Sequence, residues 1–316
     1  MNAAQNNEHI LVIKLSALGD FIQALGPMKA IRAHHPDAKI TLLTTKAFKN
    51  FGEECGYFDD VWIDERPKWF NLSGWANLSR RLNNAGITRV YDLQNNDRTR
   101  FYFKLFAGAQ RPEWVGTAKG GSHYNNSEER TAGNAFNGHK NTLALAGINN
   151  IDIDDLSWIQ ADISELPLKK PYAVLVAGCA PSRPEKRWPH ENFATIGNNL
   201  VKQGIQPVLI GTNAEVEINK AIKAACPDAL DLTNQTSIKQ IAVLGREAKL
   251  CVTNDTGPAH IIGVTGCPSF VLFSTQGSNP DKHAPLGHNI QKFIAEDILT
   301  ITSDQVWREI DPKVKD

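Results

Sequence analysis

No charge of either sign prevails in this sequence. Its 34 lysines and arginines balance 34 aspartates and glutamates, which removes the global field by which basic proteins recruit nucleic acid. Division near residue 170 leaves both halves close to neutral, 20 basic against 19 acidic and then 14 against 15. Long hydrophobic runs are missing too. Nothing approaches the roughly 20 apolar residues of a membrane-spanning helix, and the first residues, Met1 to His9, are polar with no apolar signal core. Cysteine is scarce: Cys55, Cys179, Cys226, Cys251 and Cys267 are odd in number and widely spaced. That fits reduced thiols of a cytoplasmic protein, not a disulfide framework or a zinc site. Two methionines are too few for a soft-metal site. The G-x-G-x-x-G series is absent, which counts against a nicotinamide enzyme, and there is no Walker loop or G-x-S-x-G elbow.

What is present describes an ordinary globular chain. With 316 residues, 41% hydrophobic and 22% charged, the length suits two domains better than one core. Strand and helix signals alternate, the mark of parallel sheets with crossover helices. Strands are predicted at residues 10–15, 40–44, 61–64 and 90–93, then at 172–176, 207–210, 249–252 and 269–273. A first helix runs from about Asp20 to His34, with Ile22, Leu25 and Ile31 on one apolar stripe. Between the halves, residues 152–171 form a polar, proline-marked connector. The expected fold is α/β, two Rossmann-like domains facing across a cleft. Their predicted bounds are 1–165 and 166–316, and a short last helix is expected near residues 303–310.

Three stretches carry chemistry. In Thr253-Asn254-Asp255-Thr256-Gly257-Pro258-Ala259-His260, a strand ends in Asp-Thr-Gly and turns into a helix. Backbone N–H groups at such a helix start suit an anion, and Gly257 lets a phosphate approach the main chain. The plainer alternative is a helix capped by Asn254 or Asp255. In Lys14-Leu15-Ser16-Ala17-Leu18-Gly19-Asp20, Gly19 permits a tight turn after the first strand. Asp20 then falls in the first helical turn, placed to accept a proton from a hydroxyl. Its plainer role is to complement the positive helix end. In Ser182-Arg183-Pro184-Glu185-Lys186-Arg187-Trp188-Pro189, three cations follow the first strand of the second half, and Pro189 opens a helix. Such a loop beside Asp255 suits a diphosphate, with Lys186 as point charge and Ser182 as hydroxyl donor.

Taken in order, Ser-x-x-Gly-Asp, Lys-x-Trp-Pro and Asp-Thr-Gly-Pro-x-His resemble the motifs of glycosyltransferase family 9, the heptosyltransferases of lipopolysaccharide core assembly. The likeness extends through Tyr91-Asp92-Leu93-Gln94 and Arg98-Thr99-Arg100. It implies the GT-B fold, an ADP-activated heptose donor, inversion at the anomeric carbon, and no metal or other cofactor. It further implies Asp20 as general base and Lys186 as the cation that neutralises the leaving diphosphate. Ser182, Thr256 and Gly257 would hold the phosphates, Asp255 the sugar hydroxyls, and His260 would support the donor. Glu215, or next Glu217, would hold the ribose. Ser16, Gly19, Arg98 and Arg100 would border the acceptor. Lys14 stands where many relatives carry Arg, which puts any acceptor contact there in doubt.

The acceptor side also shows in composition. Arg66-Pro67-Lys68-Trp69-Phe70, with Trp75, Arg80 and Arg81, and the stretch from Arg98 to Lys104 mix cations with aromatics. Such a surface suits anionic sugars and lipid phosphates at the inner leaflet, although buried rings beside solvated cations are the commoner arrangement. Residues 116–130, rich in Gly, Ser and Asn, read as a mobile loop. Asp152-Ile153-Asp154 reads as solvated linker acids and not a metal motif, and His34-His35 as a helix end before Pro36. The expected partners are an ADP-sugar, a lipopolysaccharide-core acceptor and the inner-membrane surface, with no nucleic acid. A UDP-sugar transferase, a nucleotide-sugar 2-epimerase and a silent nucleotide-sugar binder stay open as alternatives.

Overall fold

The computed structural model describes residues 8–106 and 111–315; residues 1–7 of the polar N-terminal stretch lie outside the described residues. The chain divides into two compact units, Met1–Asp154 and Asp155–Asp316. The predicted boundary at 165/166 is therefore displaced toward the N-terminus. Arg246 explains the difference. Its guanidinium donates to the carbonyls of Leu156 (2.7 Å) and Ile159 (3.3 Å), and the amide of Gln240 donates to that of Asp162 (2.9 Å). These bonds tie the start of the connector to the second unit.

In the first unit the strands are β1 (His9–Ile13), β2 (Lys39–Thr44), β3 (Asp60–Ile63), β4 (Arg89–Asp92), β5 (Glu113–Gly116) and β6 (His123–Tyr124). The helices between and after them are α1 (Leu18–His34), α2 (Lys49–Glu54), α3 (Leu72–Asn84), α4 (Asp97–Leu105) and α5 (Ala135–Ala144). All strand pairs are parallel, in the order β3-β2-β1-β4-β5-β6. That is the Rossmann order, and its direction reverses between β1 and β4. β1, the run His-Ile-Leu-Val-Ile, is buried at every position, as a central parallel strand covered on both faces must be. Helix α1 is buried on nearly its whole circumference from Phe21 to Met28, not on one stripe. It packs against α5, and Gln23 accepts a bond from the Phe136 N–H at 3.2 Å.

The second unit holds β7 (Tyr172–Val176), α6 (His190–Lys202), β8 (Gln206–Leu209), α7 (Val216–Ala225), β9 (Leu230–Asp231) and α8 (Ile238–Glu247). It continues with β10 (Leu250–Asn254), α9 (Gly257–Val264), β11 (Ser269–Ser274), α10 (Pro280–His283), β12 (Ile290–Ala295) and α11 (Ser303–Lys315). Its parallel sheet runs β12-β11-β10-β7-β8-β9. Counted from β7, this is the same Rossmann order, reversing between β7 and β10. Helix α11 buries Val306 and Ile310 in the core of its own unit, beside α6.

Within residues 116–130, β6 pairs with β5, Asn125 N–H donates to the Gly116 carbonyl at 2.8 Å, and the Asn125 side chain is buried. Asp154 is not a solvated acid, since it is buried and accepts the Tyr57 hydroxyl. The five cysteines are buried and free. Among the described residues no helix is long and apolar enough to cross a membrane.

Candidate functional site

The chemistry-bearing motifs fall where the two sheets reverse direction, and open α/β sheets bind ligands at the carboxyl ends of such strands. In the second unit, β10 delivers Asp255 and Thr256 to the start of α9, and β7 leads into residues 177–188. Lys186 lies in a short 3₁₀ turn, Pro184–Lys186. Its ammonium meets the Asp255 carboxylate at 2.7 Å, both side chains being largely buried. Thr256 is the N-cap of α9 but its side chain makes no capping bond. The first N–H groups of α9 are thus left without a side-chain cap, the arrangement that receives an anion. Neither Asn254 nor Asp255 caps the helix.

Asn254 serves instead as a staple, which sequence reasoning missed. It is fully buried, accepts Trp188 N–H at 3.2 Å and donates to the Ala177 carbonyl at 2.7 Å. These bonds join the end of β10 to the loop that carries Lys186. A polar residue closing an apolar strand was the available signal. Trp188 is buried, and its indole donates to the Ile301 carbonyl at 2.7 Å. Pro189 is the N-cap of α6, one step before the helical turn it was expected to open. Gly277 allows the loop's close approach: a Cβ there would lie 2.8 Å from Lys186 Cγ.

The two candidate ribose acids separate clearly. Glu217 is exposed and pairs with Lys220 at 3.0 Å. Glu215 is buried, and its Oε2 accepts the Thr212 N–H (2.8 Å) and hydroxyl (2.7 Å). A Cβ on Gly178 would fall 2.3 Å from Glu215 Cγ, and one on Gly211 2.8 Å from its Cβ. Glu215 therefore stands against the carboxyl ends of β7 and β8, on the same sheet edge as Lys186 and Asp255. His260 is buried on α9, and Ser182 is exposed in the loop after β7.

In the first unit, the turn after β1 is held from below. Gln94 Oε1 accepts the N–H groups of both Leu15 (2.8 Å) and Ser16 (3.0 Å). Asp92 in turn accepts Gln94 N–H at 3.0 Å and Asn95 N–H at 2.9 Å. Asp20 is exposed in the first turn of α1, its Oδ2 3.5 Å from the Ala17 N–H, and Ser16 and Gly19 are half-buried beside it. Beneath lies a buried polar group of Lys14, Asp92 and His139. Burial lowers the Lys14 pKa, against the opposing carboxylates of Asp20 and Asp92. Burial raises Asp92 to about 6, against the N–H groups of Asn95 and Gln94 and the Thr99 hydroxyl. Burial, then the nearby Lys14, holds His139 well below the usual imidazole value. The Lys14 ammonium donates to the Leu93 carbonyl at 3.2 Å, so it supports the turn from inside.

Arg98 and Arg100 sit two residues apart on α4, so they do not share a face. Arg98 stacks on Trp75 and donates to the Pro67 carbonyl (3.2 Å) and the Tyr102 hydroxyl (3.3 Å). Arg100 pairs with Asp97 at 2.9 Å. Among the described residues, no group of three or more His, Cys, Asp or Glu is arranged to hold a metal ion.

Two Rossmann-ordered units, the second with a cation and an open helix start where its sheet reverses, make up the GT-B fold. Solved structures share this architecture: against the Escherichia coli ADP-heptose lipopolysaccharide heptosyltransferase II, the TM-score is 0.74 at 20% identity, covering 97% of this chain and 98% of that one. Residues 146–304, half of the chain, match the model of glycosyltransferase family 9 (heptosyltransferase), and the chain belongs to that family. It is 30% identical over 149 residues to lipopolysaccharide heptosyltransferase 2 of Salmonella typhimurium, covering 42% of this chain and 42% of that protein. A longer match, 24% identical over 299 residues, joins it to the lipopolysaccharide core heptosyltransferase OpsX of Haemophilus influenzae, covering 87% of this chain and 81% of that one.

Proposed function

We propose that this protein transfers heptose, or a closely related sugar, from an ADP-sugar to a lipopolysaccharide-core acceptor, with inversion and without a metal. The observation that carries the reading is the Lys186–Asp255 pair at the uncapped start of α9, with Glu215 on the same sheet edge. A diphosphate offers its charge to the Lys186 ammonium and to the start of α9, where Gly257 carries no side chain to block its approach, and Glu215 would accept from the ribose hydroxyls. Thr256, Gly257 and Ser182 complete the phosphate contacts, and His260 backs them.

The reaction needs one base and one cationic clamp. The acceptor oxygen bonds to the anomeric carbon while the bond from that carbon to the diphosphate oxygen breaks. The acceptor's proton passes to the Asp20 carboxylate, and the electron pair leaves with ADP. Lys186 stabilises the charge that grows on the diphosphate, an interaction stronger in the transition state than in the ground state. Asp255 holds that ammonium in place and stands ready for the sugar hydroxyls. Ser16, Gly19 and Arg100 border the acceptor, while Arg98 acts through the loop it pins. The protein works in the cytoplasm, on the inner face of the membrane that holds the acceptor lipid.

Thermal shift and calorimetry against ADP, UDP, GDP and their sugars test the donor. Selective binding of ADP or ADP-heptose, lost in Lys186→Ala, is expected. Asp20→Ala should keep donor affinity and lose transfer by at least about a hundredfold. Preference for UDP would move the function to another transferase or an epimerase, and transfer by Asp20→Ala at the normal rate would remove the base.

A further inference from the structure

The stretch from Glu65 to Lys104 carries eight cationic side chains and three carboxylates in a chain whose total charge is zero. One of those carboxylates, Asp92, is fully buried. Within this basic stretch, the loop leading into α3 does something unusual for a folded protein. Trp69, Phe70 and Leu72 are 79%, 80% and 77% exposed. Single exposed apolar residues are ordinary, but three large ones within four positions form a patch that water disfavours.

The loop is built to hold them outward. Arg66 stands at φ +49°, fixed by its N–H donating to Asp64 at 2.8 Å. Arg98 holds the Pro67 carbonyl, and the Trp75 indole donates to the Lys68 carbonyl at 3.1 Å. Asn71 caps α3 by accepting Gly74 N–H at 2.9 Å. Phe101 meets Trp75 edge-to-face at 5.0 Å and Trp69 at 6.4 Å. These rings line an open cavity of about 220 Å³ with Asp97 and Arg98. The Lys68 ammonium lies 5.9 Å from the Phe70 ring.

We infer that the 66–72 loop is a membrane-docking element that seats Trp69, Phe70 and Leu72 in the headgroup region of an anionic bilayer. Charge complementarity decides the occupant. A second copy of this loop would bring like charges together, whereas an anionic lipid surface attracts Lys68 and its basic neighbours while the rings enter the interface. This deepens the membrane-facing part of the proposed function, and it rests on that part but on no catalytic residue.

The test is co-sedimentation of the full chain with vesicles of phosphatidylcholine alone and of phosphatidylcholine mixed with phosphatidylglycerol. Binding to the anionic vesicles only, weakening as salt rises, is expected. Joint replacement Trp69→Ser, Phe70→Ser and Leu72→Ser should lower that partitioning by about tenfold or more. Its thermal unfolding should stay near the parent's. Brominated lipids should quench the parent's tryptophan fluorescence and quench Trp69→Phe less. No vesicle binding, or binding equal in parent and triple variant, overturns the inference. So does a parent dimer that the triple variant abolishes, which would make the patch a contact between copies. Loss of transfer to a lipid-free acceptor oligosaccharide with vesicle binding intact would make it an acceptor site. Failure of the parent to transfer to any acceptor would count against the proposed reaction and leave the vesicle result standing.

Discussion

At the scale of single residues, Asp92 shows how a buried charge can serve a neighbour. It is fully buried, yet it accepts the backbone N–H of Gln94, the residue whose side chain grips the Leu15 and Ser16 amides. Its pKa is raised, chiefly by burial, from the ordinary 3.8 to about 6. Between those values the folded chain holds a proton that the unfolded chain has released. Stability therefore falls as pH rises through that window and levels off above it. Asp92→Asn keeps an acceptor for the two N–H groups and removes the charge. Urea unfolding at pH steps from about 4 to 7 should show the parent's downward slope shrinking in the variant, by on the order of 1–3 kcal/mol over the window. Equal slopes would mean that Asp92 titrates normally. Sequence had singled out Asp20, Lys186 and Asp255, because a charged residue at a strand-to-helix turn stands out against apolar neighbours. It offered Asn254 only as a cap, because its role as a staple depends on the Ala177 and Gly178 carbonyls and the Trp188 N–H, which come from a distant stretch.

At the scale of elements, the strands legible in sequence were those with an apolar run, down to the four residues of β3 and β8. Those missed were β5, β6, β9 and β12. Three of these are sheet edges, where one side lacks a partner and burial is partial, so the apolar signal thins. β6 and β9 are two residues each, too short for any periodicity. Glycines at strand ends were equally silent. Gly178 follows β7, and only the folded chain shows that a methyl there would strike the Glu215 carboxyl group, with Oε1 2.7 Å away. Gly178→Ala must therefore displace Glu215. If Glu215 holds the ribose, calorimetry should show ADP binding weakened by about tenfold or more, the scale of one lost charge-assisted hydrogen bond. Glu217→Ala, which removes only an exposed pair with Lys220, should bind like the parent. The reverse ranking would transfer the ribose contact to Glu217.

At the scale of the whole molecule, the two units repeat one strand order but divide the labour. Every residue assigned to the donor lies after β7, β8 or β10 of the second unit, and the assigned base lies after β1 of the first. Each unit also has a core of its own, one built around Trp114 and Tyr102, the other around Trp188 and Phe193. Motif order is what led sequence to expect this division, because each motif follows a strand. The boundary was less visible, because Arg246 captures carbonyls of a segment whose composition reads as linker. The division has a dynamic consequence. Ligand binding stabilises the structure it touches and slows local opening there. ADP alone, lacking the sugar, should slow amide hydrogen exchange at residues 178–188, 211–216 and 254–262 and leave 14–20 unchanged. ADP with a non-transferable sugar and an acceptor should add protection at 14–20. Mass-spectrometric exchange of the full chain reads both states. If ADP alone protects the 14–20 turn as strongly as the α9 start, the donor reaches both units, and Asp20 must be reconsidered as a donor contact instead of the acceptor's base.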